Sequence, residues 1–162
     1  MLDSLAGEID RTVPRDVSMA LVGIQRRGDA VAAELASRIR RPGLVVGSLD
    51  ITLYRDDFAE AGTLPLVGAS HIPGSIDGAH VVIVDDVIFT GRTIRAAMDE
   101  LSDFGRPGCI ELAVAVNRAG RQLPIQPNYA GIGVELGPGE QVAVLVPGVD
   151  GRWGAEILGP LT

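Results

Sequence analysis

Val81-Val82-Ile83-Val84-Asp85-Asp86-Val87-Ile88-Phe89-Thr90-Gly91-Arg92-Thr93 holds an aliphatic run, an acid pair, a glycine turn and the start of a helical pattern, in that order. Four successive aliphatics at Val81–Val84 predict a strand buried on both faces, as in a parallel sheet covered by helices. Asp85 and Asp86 follow at its carboxyl end. Successive strand residues point to opposite sides, so both acids are not expected to enter one core. From Thr93 to Phe104, Ile94, Ala97, Met98 and Leu101 recur on one helical face, and Gly105 stops the helix. The unit is strand, turn, helix, with acids where parallel sheets bind ligands.

The flanks repeat this alternation. Met19–Ile24 is a buried strand by its apolar run. Asp29–Ile39 has Val31, Leu35 and Ile39 at helical spacing, with Asp29 as expected cap and Pro42-Gly43 as terminator. Leu44–Gly47 begins a strand running towards Leu49-Asp50-Ile51. Tyr54–Ser70 is polar, glycine-containing and irregular, and a loop of this length is either a lid or an unstructured connection. Beyond the helix, Ile110–Val116 is a strand, and Gly131–Val134, Gln141–Val146 and Ala155–Leu158 are short strands in a Gly/Pro-rich region. This order predicts an α/β fold, a mostly parallel sheet flanked by helices with right-handed crossovers, in a single domain over 1–162.

Composition narrows the function. Net charge is −7, and all 14 basic residues are Arg. That balance argues against broad non-specific nucleic-acid binding while leaving a local basic patch open. Aromatics are 4% of the chain, so Val, Ile, Leu and Ala must build the core. The single cysteine, Cys109, forms no internal disulfide and fits a reducing, cytoplasmic setting. It is expected to be a buried small residue, and neither His71 nor His80 has an evident link to it. No signal peptide or membrane span is expected.

The chemistry of the central stretch follows from its residue types. Gly91 allows a tight bend and close backbone approach. The hydroxyls of Thr90 and Thr93, with the free amides of a helix start, suit a phosphate dianion. The two carboxylates suit neighbouring ribose hydroxyls. A ribose 5-phosphate would be held at both ends. The plain structural account is a strand, an acidic turn and a Thr-capped helix.

Val81–Thr93 resembles the 5-phosphoribosyl-1-pyrophosphate (PRPP) motif of type I phosphoribosyltransferases. Gly23–Gly28, Leu49–Asp57, Ile72-Pro73, Arg95–Leu101, Gly105-Arg106-Pro107 and Leu123-Pro124-Ile125 extend the resemblance to the PyrR family, pyrimidine operon regulators with uracil phosphoribosyltransferase activity. The resemblance implies a type I phosphoribosyltransferase-like fold with a small hood and a flexible loop over Tyr54–Ser70. It implies Asp85, Asp86 and Arg27 as the catalytic set, and Asp85 through Thr93 as the PRPP site, including Val87, Ile88, Phe89, Thr90, Gly91 and Arg92. Arg26, Arg27 and Arg55 are implied for pyrophosphate, with Arg27 the safer of the first two. Arg118 and Val142 are implied for the base. Mg2+ would be held mainly by PRPP oxygens, with Asp85 and Asp86 helping through water and no direct protein ligand. The implied partners are PRPP, uracil or UMP, and mRNA, in a homo-oligomer (dimer or higher). The alternatives are a UMP-sensing mRNA-binding regulator with little catalysis, or a phosphoribosyltransferase for another base. The chain departs from the pattern at Gly7, at Asn117-Arg118-Ala119-Gly120, and at Ala130–Leu136, where a hood lysine is missing.

Overall fold

Five segments pair as parallel strands: β1 (Met19–Ile24), β2 (Val45–Leu49), β3 (His80–Ile88), β4 (Cys109–Arg118) and β5 (Tyr129–Val134). Their order across the sheet is β2-β1-β3-β4-β5 in this computed structural model, which describes residues 1–52 and 68–159. Every residue of β1 is buried, as befits a strand covered on both faces. The two-residue period of β3 divides its aliphatics between two cores. Val82 and Val84 join Leu5, Ile9, Val31 and Leu35 of α1 (Leu2–Thr12) and α2 (Arg27–Arg38). Val81 and Ile83 join Ile94, Ala97 and Leu101 of α3 (Arg92–Leu101) on the other face.

Beyond β5 a second, two-stranded sheet forms from β6 (Gln141–Leu145) and β7 (Gly154–Leu158), antiparallel and joined through the single turn α4 (Pro147–Asp150). Val144 and Val146 seat it on Ala115 and Val116 of β4. The resemblance put the hood at Ala130–Leu136, but Tyr129–Val134 is β5 of the main sheet; the β6–β7 pair is the hood, and the stretch after Trp153 supplies its outer strand. Among the described residues, no helix is long and apolar enough to cross a membrane.

Several expectations need correction. The central strand does not end at Val84: Asp85, Val87 and Ile88 continue the ladder against Val114, Val116 and Asn117. The acids therefore lie within the strand, and Asp85 is buried. Asp29 does not cap its helix. α2 starts at Arg27, and Asp29 Oδ1 accepts from the adjacent Ala30 amide at 2.8 Å. An acid in the first turn still complements the helix dipole. Met98 is exposed, and Ala96 and Glu100 take up the buried side of α3 instead. Cys109 is exposed, because it opens β4 at the sheet's rim.

One glycine fixes how α2 meets β3. A Cβ on Gly28 would lie 2.6 Å from the Val84 carbonyl oxygen and 3.0 Å from Asp85 Cα, both backbone atoms that cannot turn aside. Gly28→Ala is expected to lower stability by about 1–3 kcal/mol through overpacking. Urea denaturation reads this as a lower midpoint at unchanged slope. An unchanged midpoint would mean that α2 slides off β3 freely.

Candidate active site

The carboxyl ends of β1, β2 and β3 open onto a cleft of about 620 Å3. β1 runs out into Gln25, Arg26 and Arg27 on one wall, and Asp50 to Thr52 follow β2 on another. Asp85, Asp86 and Val87 of β3 form the floor, with Thr93 of α3 beside them. A parallel sheet gathers these residues because all its strands end on the same side.

The acid pair is uneven. Asp85 is enclosed, and its Oδ1 accepts from the Asp86 amide at 2.9 Å. Burial, then the charge of Asp86, pushes the Asp85 carboxyl well above the usual carboxylate range. Asp86 is half-buried, and its Oδ1 accepts from the Val87 amide at 2.9 Å. A third acid, Asp50, lines the same cleft and was not among the acids expected there. Burial pushes the Asp50 carboxyl up. Hydrogen bonds from Thr52 and the Gly68 amide, with the charge of Arg26, outweigh that and hold it below its ordinary value.

Arg27 is not free. Its Nη1 lies 2.5 Å from Asp150 Oδ2 in α4 and donates to the Val144 carbonyl at 2.5 Å. Asp150 also accepts from the Val146 amide at 2.8 Å. Arg27 therefore ties the wall of the cleft to the hood. Asp150 was missed from sequence, since nothing local marks a partner 123 positions away. Arg26 is exposed on the cleft, following the cis Gln25–Arg26 peptide.

Between β3 and α3 the chain turns through Gly91, whose φ of 96° lies in the left-handed region that favours glycine. The Thr90 carbonyl accepts from the Gln122 and Leu123 amides at 3.0 and 3.1 Å, anchoring the turn. Thr90 and Thr93 are half-buried beside it. Ile88, in contrast, packs its side chain into the core, leaving only its backbone for a ligand. Phe89 is exposed, with the Arg118 guanidinium 3.8 Å from its ring centroid. Arg118 lines a second hollow of about 410 Å3 with Asn117, Arg121 and Glu135. Val142 lines neither hollow and packs in the hood cluster. Arg55 and the loop expected around it, apart from its last residues 68–70, lie outside the described residues.

The model of the phosphoribosyl transferase domain matches residues 2–141. A protein of Roseiflexus sp. named "Bifunctional protein PyrR" is 51% identical over 140 residues, covering 85% of this chain and 75% of that one. One of the same name from Pelotomaculum thermopropionicum is 44% identical over 154 residues, covering 93% and 85%. The chain belongs to the phosphoribosyltransferase family, among its PyrR proteins. Solved structures agree on the fold. A hypoxanthine-guanine phosphoribosyltransferase of Bacillus anthracis superposes with a TM-score of 0.64 at 19% identity, covering 86% of this chain and 78% of that one. A hypoxanthine phosphoribosyltransferase of Staphylococcus aureus gives 0.64 at 18%, covering 99% and 88%.

Proposed function

We propose that the protein transfers the phosphoribosyl group of PRPP to uracil, giving UMP and pyrophosphate, in a cytoplasmic setting. The observation that carries this reading is the convergence of Asp85, Asp86, Arg26 and Arg27 on one cleft of about 620 Å3, next to the Gly91 turn. In this reading Asp86 and Asp85 accept hydrogen bonds from the ribose hydroxyls. The turn from Phe89 to Thr93 receives the 5-phosphate on backbone amides and threonine hydroxyls. Arg26 and Arg27 neutralise the departing pyrophosphate.

The reaction forms a bond from a ring nitrogen of uracil to the anomeric carbon as the bond to pyrophosphate oxygen breaks. Positive charge gathers on the ribose in the transition state, and the Asp86 side chain beside it stabilises that charge. The ring N–H proton leaves in the same step, to water, to a pyrophosphate oxygen or to a carboxylate of the cleft. Holding both reactants in place and excluding water account for the remaining task of the protein.

Mg2+ fits the donors present, since a hard cation takes oxygen ligands and Asp50, Asp85 and Asp86 supply carboxylates on one cleft. These residues would hold it through water, with PRPP oxygens as its direct ligands. When bound, the ion offsets charge on the pyrophosphate.

The test is pyrophosphate release from PRPP in the presence of uracil, hypoxanthine, guanine or no base. Release with uracil should exceed release with any other base at least tenfold. Faster release with a purine would reassign the base, and no release with any base would remove the enzyme reading. The name "bifunctional" of the relatives favours a second reading, UMP-dependent binding of mRNA. Net charge of −7 and an exposed Ile132 on β5 favour weak RNA binding. Filter binding of a pyrimidine-operon leader RNA, with and without UMP, checks it. Tight, UMP-enhanced binding would make regulation the primary role.

A further inference from the structure

The end of the sheet away from the cleft carries a second cluster of chemistry. His80 opens β3 and Cys109 opens β4, and the two are partners in the ladder. Glu111 lies two residues beyond Cys109, so strand periodicity places both on one face, and the register brings His80 to that same face. One nitrogen, one sulfur and one carboxylate oxygen therefore meet, all within 4.8 Å of one another. The chain has one cysteine and two histidines in all, so this meeting uses its single thiol and one of its two imidazoles. The sequence showed no link between Cys109 and either histidine, because 29 positions separate the pair and only the β3–β4 register joins them.

Two further observations point to a ligand between these groups. His80 Nε2 lies 2.8 Å from Glu111 Oε2, yet it is buried and makes no hydrogen bond of acceptable angle among the described residues. Its contact with Glu111 is an ion-pair distance rather than an aligned hydrogen bond, so the lone pair or proton on this nitrogen is not fully used. Glu111 is also steadied from behind. The Tyr129 hydroxyl donates to the same Oε2 at 2.5 Å, the kind of outer contact that orients a metal-binding carboxylate.

We propose that His80, Cys109 and Glu111 bind a zinc ion at the amino-terminal rim of β3 and β4. Thiolate with imidazole is the donor pairing that selects zinc over magnesium or calcium. Tetrahedral zinc has ligand bonds of about 2.0–2.3 Å, which sets its ligand atoms roughly 3.3–3.8 Å apart. Side-chain rotation alone can reach this from the present spacing, and Cys109 is exposed and has room to turn. Cys109 loses its proton on binding. Thiolate and carboxylate together then balance the two charges of the ion, so the half-buried site stays neutral. Water takes the fourth position on the exposed side. The ion clips β3 to β4 at the end remote from Asp85 and Asp86, so it takes no part in the transfer reaction.

The test uses the full chain stripped of metal with a chelator and titrated with Co2+. One equivalent should bind with tetrahedral visible bands and a thiolate-to-cobalt charge-transfer band in the near ultraviolet, and Zn2+ should displace it. Cys109→Ser should abolish the charge-transfer band, and His80→Gln should weaken binding at least tenfold. Zn2+ should raise the melting temperature of the parent chain by several degrees and leave Cys109→Ser unmoved. The carboxylates of the cleft offer no sulfur, so the charge-transfer band reports this site alone and is independent of the PRPP reading. Cys109 is exposed at a rim, so its serine variant folds; Glu111→Gln serves as a second variant. No charge-transfer band at millimolar Co2+, or unchanged Co2+ affinity in Cys109→Ser, would overturn the proposal.

Discussion

Asp85→Asn with Asp86→Asn is expected to cut PRPP turnover at least ~100-fold while leaving the folded chain as stable at neutral pH, or more so. The two effects share one cause. Burial first, and the charge of Asp86 next, raise the Asp85 carboxyl in the folded protein. The folded state thus keeps a proton that the unfolded chain releases near pH ~4. For an acid raised in this way, stability is highest below the unfolded value and falls as pH rises towards the folded one. Above that, the ionised Asp85 works against the fold, and Asn removes the charge at nearly constant volume. The melting temperature of Asp85→Asn, without PRPP or Mg2+, should match the parent below pH ~4 and exceed it increasingly as pH rises above that. Pyrophosphate release supplies the second readout. A variant that keeps near-parent turnover would remove the ribose role. Uniform destabilisation at every pH would mean that Asp85 supports the fold as a hydrogen-bond acceptor for the Asp86 amide.

How much of this was legible in the sequence depended on the range of the interaction. β1 was read to the residue, because six consecutive apolar positions bounded by polar ones leave a strand little freedom. The acid pair and the Gly91 turn were legible because their residue types and their order are local to one stretch of chain. The burial of Asp85 was not. It depends on the continuation of β3 against β4, a pairing of Asp85 with Val114 that no local pattern specifies. Met98 shows the limit of periodicity. Helical spacing places it with Ile94 and Leu101, but the buried face of α3 is turned towards Ala96 and Glu100, and Met98 remains exposed. Arg27 was found as a charge beside a strand end, while Asp150, its partner in the hood, had no signal at all.

That pairing makes Arg27 the second place where a large effect is expected. Arg27→Ala should lower kcat/KM for PRPP about 100-fold, as loss of a charge-assisted contact to the leaving group. Asp150 holds the guanidinium in the ligand-free protein, and Arg27 in turn holds the Asp150 carboxyl below its usual range. Pyrophosphate oxygens and the Asp150 carboxylate therefore compete for one cation. Asp150→Asn removes the competitor without removing the cation, so pyrophosphate should bind several-fold more tightly, and the KM for PRPP should fall with it. The gain should vanish in Arg27→Ala/Asp150→Asn, which should behave like Arg27→Ala alone, since without the cation there is nothing to release. Isothermal titration with pyrophosphate across the four proteins of this cycle measures the coupling directly. If Asp150→Asn instead weakens pyrophosphate as much as Arg27→Ala does, Asp150 is not a competitor. It would then be the residue that aims Arg27 into the cleft from the hood, and the hood would belong to the pyrophosphate site.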